Sequence, residues 1–215
     1  ITIFDLAGNK GDIIATSTLD NNSKVIYDRT VPSDFTLGVV TALGGNIIEN
    51  VWNLTNTGLE IVVPIESDTT LKNGWVQARA KIGLNNFEDL GVSSSILQAD
   101  IGGNKTLLYT ADQIESITGF TENETIKLEA ILYDRPGNMK NGIESINILE
   151  IDQTPASIFY RSYKSNFSDT TLATVGDQIL LEIKSNEAIQ NPSITIASNP
   201  ATVADNGGNN WSASY

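Results

Sequence analysis

The sequence contains no cysteine and no histidine. Zinc sites built from those ligands are therefore excluded, as are catalytic triads and acid–base relays that use histidine. Basic residues are scarce, with 13 Lys and Arg against 26 Asp and Glu, which gives a net charge of −13. Nucleic acid is a poor partner for such a chain, because phosphate binding needs a cationic surface. The charge suits a self-repelling surface and the binding of cations.

Long apolar runs are also missing. No run approaches the ~20 residues of a membrane span, and no signal peptide is visible. Because the sequence begins within a predicted strand, we expect the natural N-terminus to lie upstream. Asn, Thr, Ser and Gly are abundant and methionine occurs once, a composition that is typical of turn-rich β structure.

Alternation of apolar and polar residues is the dominant pattern. Residues 74–83 place four apolar side chains on one face and three polar ones on the other, and the same period recurs at 126–132 and 178–184. These segments predict half-buried antiparallel strands, separated by Gly, Asn, Asp and Pro clusters that favour turns. We expect the core of the complete unit to form from strands near 35–42, 58–65, 74–83, 105–110, 124–134 and 143–151. Residues 110–113, Thr-Ala-Asp-Gln, have the form of a capping box and predict one short helical turn near 111–117.

One turn sequence occurs twice, at 5–9 (DLAGN) and at 134–138 (DRPGN). Each copy follows a strand and precedes another, and each pair of strands leads to a linker with an Asp-x-Thr sequence and a proline (YDRTVP and IDQTP). This internal repeat predicts tandem units. We expect residues 1–27 to be the last hairpin of one unit, residues 28–151 to be a complete unit, and residues 152–215 to begin a third.

Three longer segments, 51–83, 105–155 and 172–215, resemble bacterial Ig-like repeats of giant cell-surface adhesins and gliding-motility surface proteins. The resemblance implies an all-β fold of tandem Ig-like Greek-key β-sandwiches, one complete and two partial. This sequence departs from the pattern of the repeats by the Arg135-Pro136 pair before Gly-Asn and by the Val31-Pro32 pair after the first linker threonine.

Two interpretations of the turn aspartates stay open. An Asp at the first turn position accepts hydrogen bonds from its own backbone, which needs no ligand. Alternatively, the B–C and F–G loops of an Ig-like sandwich lie at the end where the linker arrives, so their oxygens and those of the linker could form a Ca²⁺ site. The candidate ligands are Asp28, Glu66, Asp68, Asp134 and Asn138 at the first joint, and Asp152 and Glu187 at the second.

Other candidate sites are weaker. We expect Trp75 and Trp211 to pack in sandwich cores, while the place of Trp52 is open. The glutamates are scattered over short strands and loops, so we expect no catalytic residues, and no phosphate-binding or dinucleotide-binding motif is present. The chain is therefore not expected to be an enzyme or to hold an organic cofactor.

These observations favour a structural function. We expect a stalk or spacer segment of an extracellular bacterial adhesin or surface filament, stiffened by Ca²⁺ at its joints. Its partners are expected to be the neighbouring Ig-like units of the same chain, and surface glycans or proteins reached through a distal region. The alternative is an accessory β-sandwich that holds polysaccharide on a secreted enzyme.

Overall fold

Strands form most of the regular backbone in the computed structural model, which describes residues 4–11 and 27–215. The chain divides into two units, Ile1–Gln153 and Thr154–Tyr215. The strands of the first unit are β1 (Val40–Leu43), β2 (Val51–Asn53), β3 (Gly58–Ile65), β4 (Trp75–Ile82), β5 (Glu88–Asp89), β6 (Ser94–Ser95), β7 (Gly103–Thr110), β8 (Thr125–Tyr133), β9 (Met139–Asn141) and β10 (Leu149–Asp152). A 3₁₀ turn (Thr69–Leu71) and one helix, α1 (Ala111–Glu115), complete it.

Two sheets face each other in the first unit. The first sheet has the order β1-β3-β7, and the second has the order β2-β10-β8-β4-β5, with β6 also paired to β4 and β9 to β8. All named pairs are antiparallel except β2 with β10, which is parallel. This is the strand arrangement of an Ig-like sandwich, in which A-B-E strands pack against C-F-G strands.

The space between the sheets is filled by the apolar side chains that the alternation places inward. Leu59 and Ile61 of β3 and Ile126 and Leu128 of β8 are inaccessible to solvent. Burial of each large aliphatic side chain contributes about 1.5–3 kcal/mol before conformational entropy is subtracted. The core of this unit therefore rests on the period-two pattern visible in the sequence.

The predicted elements are confirmed where the alternation is longest. Strand β3 spans 58–65, and β4, β7 and β8 lie within one or two residues of the predicted ranges. The capping box is also confirmed, because Gln113 N–H donates to Thr110 Oγ1 and Thr110 N–H donates to Gln113 Oε1. Strands near 35–42 and 143–151 are shorter than expected, since regular pairing begins only at Val40 and at Leu149.

One tryptophan differs from the sequence-based expectation, and another, which the sequence left open, is now placed. Trp75 was expected in the core, but it lies half-buried on the outer face, where its ring stacks on Tyr133 with centroids 4.7 Å apart. The reason is the strand phase, because its neighbour Val76 takes the inward position. Trp52, whose place was open, is fully buried, and its Nε1–H donates to Glu115 Oε1 at 3.3 Å.

The second unit consists of one four-stranded sheet and a small hairpin. Its strands are β11 (Ile158–Ser165), β12 (Ile179–Ser185), β13 (Thr195–Ile196), β14 (Asn199–Pro200), β15 (Thr202–Asp205) and β16 (Asn210–Ser214). The sheet order β11-β12-β16-β15 matches the A-B-E-D sheet of an Ig-like sandwich. Trp211 and Ala213 are buried, as expected for Trp211, whereas Ile179, Leu181 and Ile183 of β12 are only half-buried.

The predicted hairpin at 1–27 lies mostly outside the described residues, so its assignment to a preceding unit stays a prediction. Its turn is described, and an isolated antiparallel bridge joins Phe4 to Lys10 across it. In the described part of the chain, no helix has the length and apolar character needed to cross a membrane.

The phenol of Tyr109 gives a pH-dependent test of this core. Burial raises the pKa of Tyr109 to about 12, whereas an unfolded tyrosine has a pKa of about 10. Its neutral form therefore stabilises the fold fully below pH ~10, and this stability is lost as the pH rises toward the folded pKa. We expect urea unfolding at pH 9 to 11.5 to show a steeper loss for the wild-type chain than for Tyr109→Phe. Equal pH slopes would place Tyr109 in water.

Candidate functional site at the linker pole

One end of the first sandwich gathers three segments that are distant in sequence. They are the linker at 28–33, the B–C loop at 66–73 and the F–G turn at 134–138, which together we call the linker pole. Arg135 N–H donates to the Thr70 carbonyl at 3.0 Å, which joins the turn to the B–C loop. Ser33 N–H donates to Glu66 Oε1 at 3.0 Å, which joins the linker to the same loop.

The F–G turn is organised by the carboxylate of Asp134, whose residue is 1% exposed. Its Oδ1 accepts from Gly137 N–H at 2.8 Å and from Asn138 N–H at 2.7 Å, and its Oδ2 accepts from Asn138 Nδ2 at 2.8 Å. Gly137 has a φ of +100°, which glycine adopts without steric cost. The carboxylate therefore satisfies the donors of its own turn, as the local interpretation of this motif expects.

The turn at 5–9 shares two of these three side-chain hydrogen bonds in an exposed setting, and its third donor is Ala7 N–H instead of the glycine N–H. Asp5 Oδ1 accepts from Ala7 and Asn9 N–H at 2.9 and 2.8 Å, and Asp5 Oδ2 accepts from Asn9 Nδ2 at 2.8 Å. The Asn9 side chain, followed by its backbone N–H, holds the pKa of the Asp5 carboxyl below its usual value. Sequence similarity between the two turns therefore corresponds to similarity of structure.

Asn138 connects the F–G turn to the linker. Besides its bond to Asp134, its Nδ2 donates to the backbone carbonyl of Asp28 at 3.3 Å, across 110 residues of sequence. The sequence identified Asn138 as a candidate oxygen ligand of a cation, and it did not indicate that the side-chain amide donates to the linker. The Asn138 side-chain amide has two hydrogens and the turn uses one of them, so a partner for the second hydrogen could have been sought from the sequence.

The remaining predicted ligands at this joint have separate tasks. Asp28 Oδ1 accepts from Thr30 N–H at 2.9 Å, while its Oδ2 is buried without a hydrogen-bond partner. Asp68 Oδ1 accepts from Thr70 N–H at 2.8 Å and from Thr70 Oγ1 at 2.7 Å, and so caps the 3₁₀ turn. The linker pole thus brings the predicted segments together, with one carboxylate oxygen of each aspartate accepting from its own backbone segment.

A groove of about 330 Å³ lies beside Asp28. Thr69 and Thr70 line it with hydroxyl groups, and Lys72 and Arg135 line it with positive charge. Within residues 4–11 and 27–215, no group of three or more acidic side chains is close enough to hold a metal ion. A cation here would depend on Asp28 together with backbone carbonyls and hydroxyls.

The residues predicted for the second joint lie in different units. Asp152 is exposed on the last strand of the first unit, where it pairs with Asn53 of β2. Glu187 follows β12 in the second unit and, like Asp28, has a buried carboxylate oxygen, Oε1, without a hydrogen-bond partner. Its backbone carbonyl accepts from Ser185 Oγ at 2.5 Å.

The three tryptophans give a glycan little flat surface, whereas Phe159, Tyr160 and Tyr163 of β11 are each more than half exposed. Trp52 and Trp211 are buried, and the stack between Trp75 and Tyr133, with an interplanar angle of 12°, covers one face of each ring. Sugar binding by stacking needs an exposed aromatic face, which the Trp75–Tyr133 stack offers only in part.

The matched pair of turns allows a direct measurement of what burial adds. Asp134→Ala leaves three donors without their acceptor in a buried turn, and we expect a loss of about 1–3 kcal/mol in the free energy of unfolding. Asp5→Ala also removes three side-chain hydrogen bonds, but in an exposed turn where water replaces them, so a change within ~0.5 kcal/mol is expected. Urea titration of both variants measures the difference, and equal losses would contradict the role of burial.

Comparisons with known proteins add no relatives. No protein-family model matches the chain, and no curated protein shows significant sequence similarity to it.

Proposed function

We propose that the chain is a stalk or spacer segment of an extracellular bacterial adhesin or surface filament. The observation that supports this most is the linker pole, where Asn138 of a repeated turn donates to the linker carbonyl of Asp28. A spacer has to hold each connection at a defined place on the next unit, and this hydrogen bond does so without any reactive group. In this proposal the second copy of the turn, at 5–9, makes the corresponding connection to another linker.

Several contacts fix the linker to the sandwich that follows it. Asp28 is held by Asn138, Ser33 by Glu66, and Thr36 by a parallel bridge to Ile143. Three attachments within nine residues leave this stretch little freedom to swing, because each bond removes backbone conformations. A unit attached upstream of Asp28 is then restricted in the angle at which it leaves. Such restriction gives an array its stiffness and reach.

The surface and composition are compatible with a place outside the cell. The net charge of −13 keeps neighbouring copies apart in solution, and a fold without cysteine does not depend on the redox state of its compartment. In this proposal the neighbours along the filament are Ig-like units of the same protein. Binding to surface glycans or proteins belongs to a distal region.

We further propose that Ca²⁺ strengthens the first joint at Asp28. The unpartnered Oδ2 of Asp28 is the group that supports this, since a buried carboxylate oxygen without a donor is costly. Hydroxyl oxygens of Thr69 and Thr70 line the same groove. Lys72 and Arg135 oppose a cation there, so the affinity expected is modest, in the range of extracellular modules near 10⁻⁴–10⁻³ M.

Linker attachment can be measured by distances between spin labels, because the chain has no cysteine to compete for labelling. We expect labels at Arg29→Cys and Lys72→Cys to give one narrow distance distribution in the otherwise wild-type chain. Asn138→Ala should broaden it, because the linker loses its hydrogen bond to the F–G turn. Asn9→Ala, the same change in the exposed turn, serves as the control and should leave it unchanged. A broad distribution before any mutation would refute a stiff attachment.

Calcium is tested independently by thermal unfolding in millimolar Ca²⁺ and in chelator. An ion that binds only the folded state raises the melting temperature, and we expect Asp28→Asn to abolish the rise. Asp205→Asn, at an exposed acid of the second unit, should keep it. Identical melting curves in Ca²⁺ and in chelator would remove calcium from the joint and leave the hydrogen-bonded linker in place.

A further inference from the structure

The first unit leaves one long strand unpaired along one side. Strand β7 lies at the end of the β1-β3-β7 sheet, and its eight residues pair only with β3 among the described strands. Hydrogen bonds alternate along an antiparallel strand, so half of the peptide groups of β7 point away from the sheet. Thr110 shows the phase, since its N–H donates to Gln113 Oε1 at 2.9 Å and not to β3. The backbone N–H and C=O groups of Leu108 and Thr106, two and four residues earlier, therefore also point away from β3.

Exposed strand edges normally carry features that prevent pairing with another chain. The other described sheet edges carry such protective features. Strands β1, β2, β5 and β15 are only four, three, two and four residues long. Strand β11 has eight residues, but it carries the exposed charges of Arg161 and Lys164, and its register shifts between Ile158 and Tyr160.

Strand β7 has none of these protections. It contains no proline, and its register with β3 is continuous over all eight residues. Its only charge, Lys105, is turned toward Asp100 at 3.2 Å, with a side chain that is 14% exposed. Leu108, by contrast, is 65% exposed. A long, regular and partly apolar edge of this kind is a template for a further strand.

A groove of about 310 Å³ runs beside this edge. One wall is formed by residues 106–109 of β7, and the other by Val92, Ser93 and Ser94. No residue lining the groove is charged, although the whole chain has a net charge of −13. Two copies of an acidic chain repel each other least where the contacting surfaces carry no charge. The groove therefore favours a second copy as the occupant.

We propose that β7 pairs with β7 of a second copy of this chain, antiparallel and around a two-fold axis. An axis at Leu107 places Leu108 opposite Thr106 of the other copy and joins their outward peptide groups in one ladder. It also keeps the two Lys105 side chains apart, which avoids a like-charge pair. The two three-stranded sheets then form one continuous sheet across the contact.

One such strand pair is a small interface. It buries less than the ~1,200 Å² of a typical stable complex, so the dimer is expected to be weak and dependent on concentration. In a filament of many units the contacts act together and become strong by avidity. That last step rests on the proposed spacer function, and the strand pairing itself does not. Spacers would thereby associate side by side.

Sedimentation equilibrium of the full 23.2 kDa chain tests the pairing. We expect a reversible monomer–dimer equilibrium. Leu108→Lys places a charge at the edge, and Thr106→Pro removes an outward N–H that β3 does not use. Each substitution occurs twice in a two-fold dimer, so each should raise the dissociation constant about ten-fold or more. Leu84→Lys, with the same change at a fully exposed turn, should leave the constant unchanged.

Single cysteines locate the contact in a chain that has no other cysteine. Under mild oxidation, we expect Leu108→Cys to form a disulfide-linked dimer much faster than Leu84→Cys. A chain that is monomeric up to millimolar concentration overturns the proposal. So does a dimer that Leu108→Lys and Thr106→Pro leave intact, or one in which both cysteines cross-link equally. If the spin-label distance distribution of the linker is broad while the chain still dimerises, the proposed spacer function is refuted and the strand pairing is not.

Discussion

Face-to-face burial of two sheets is the constraint on which the first unit depends. Because side chains alternate along a strand, β3 and β7 can turn one apolar face toward β4 and β8 while their other residues meet solvent. The strand ends then fall at the two poles of the sandwich, and the loops between them are brought together whatever their distance in sequence. The linker pole is a result of that closure, since the linker is bound both by Glu66, which follows β3 of the first sheet, and by Asn138, which follows β8 of the second.

The contrast between the two units shows how much the second sheet contributes. In the first unit, Leu59 and Ile61 of β3 are fully buried by the opposing sheet. In the second unit, the corresponding strand β12 has the same alternation, yet Leu181 and Ile183 are half-buried. The local pattern is sufficient to form the four-stranded sheet, but burial of its apolar face requires an opposing layer. The same distinction separates the two turns, where three hydrogen bonds each surround a buried Asp134 and an exposed Asp5.

The all-β class, the long strands and the capped helix could be predicted from the sequence, because each depends on neighbours within about ten residues. The site was predictable only as a set of segments. Short strands such as β5, β6 and β9 were not expected, since two or three residues carry no period. Trp52 could not be placed because its burial follows from the pairing of β2 with β10, about one hundred residues later. The link from Asn138 to Asp28 was missed because it depends on the direction of a side-chain amide, which spacing does not encode.

Parallel pairing of β2 with β10 has a mechanical consequence. Strand β10 is the one by which the chain leaves the first unit, and it runs alongside residues 51–53 in the same direction. Tension on the two ends of the unit first loads the linker attachments at 28–36 and the β1–β3 pair, and once it reaches β2 it tends to slide β2 and β10 along each other. Bonds loaded in shear must break together, whereas the bonds of a hairpin pulled open at its end break one at a time. A unit built in this way resists traction along its length better than its modest number of hydrogen bonds suggests.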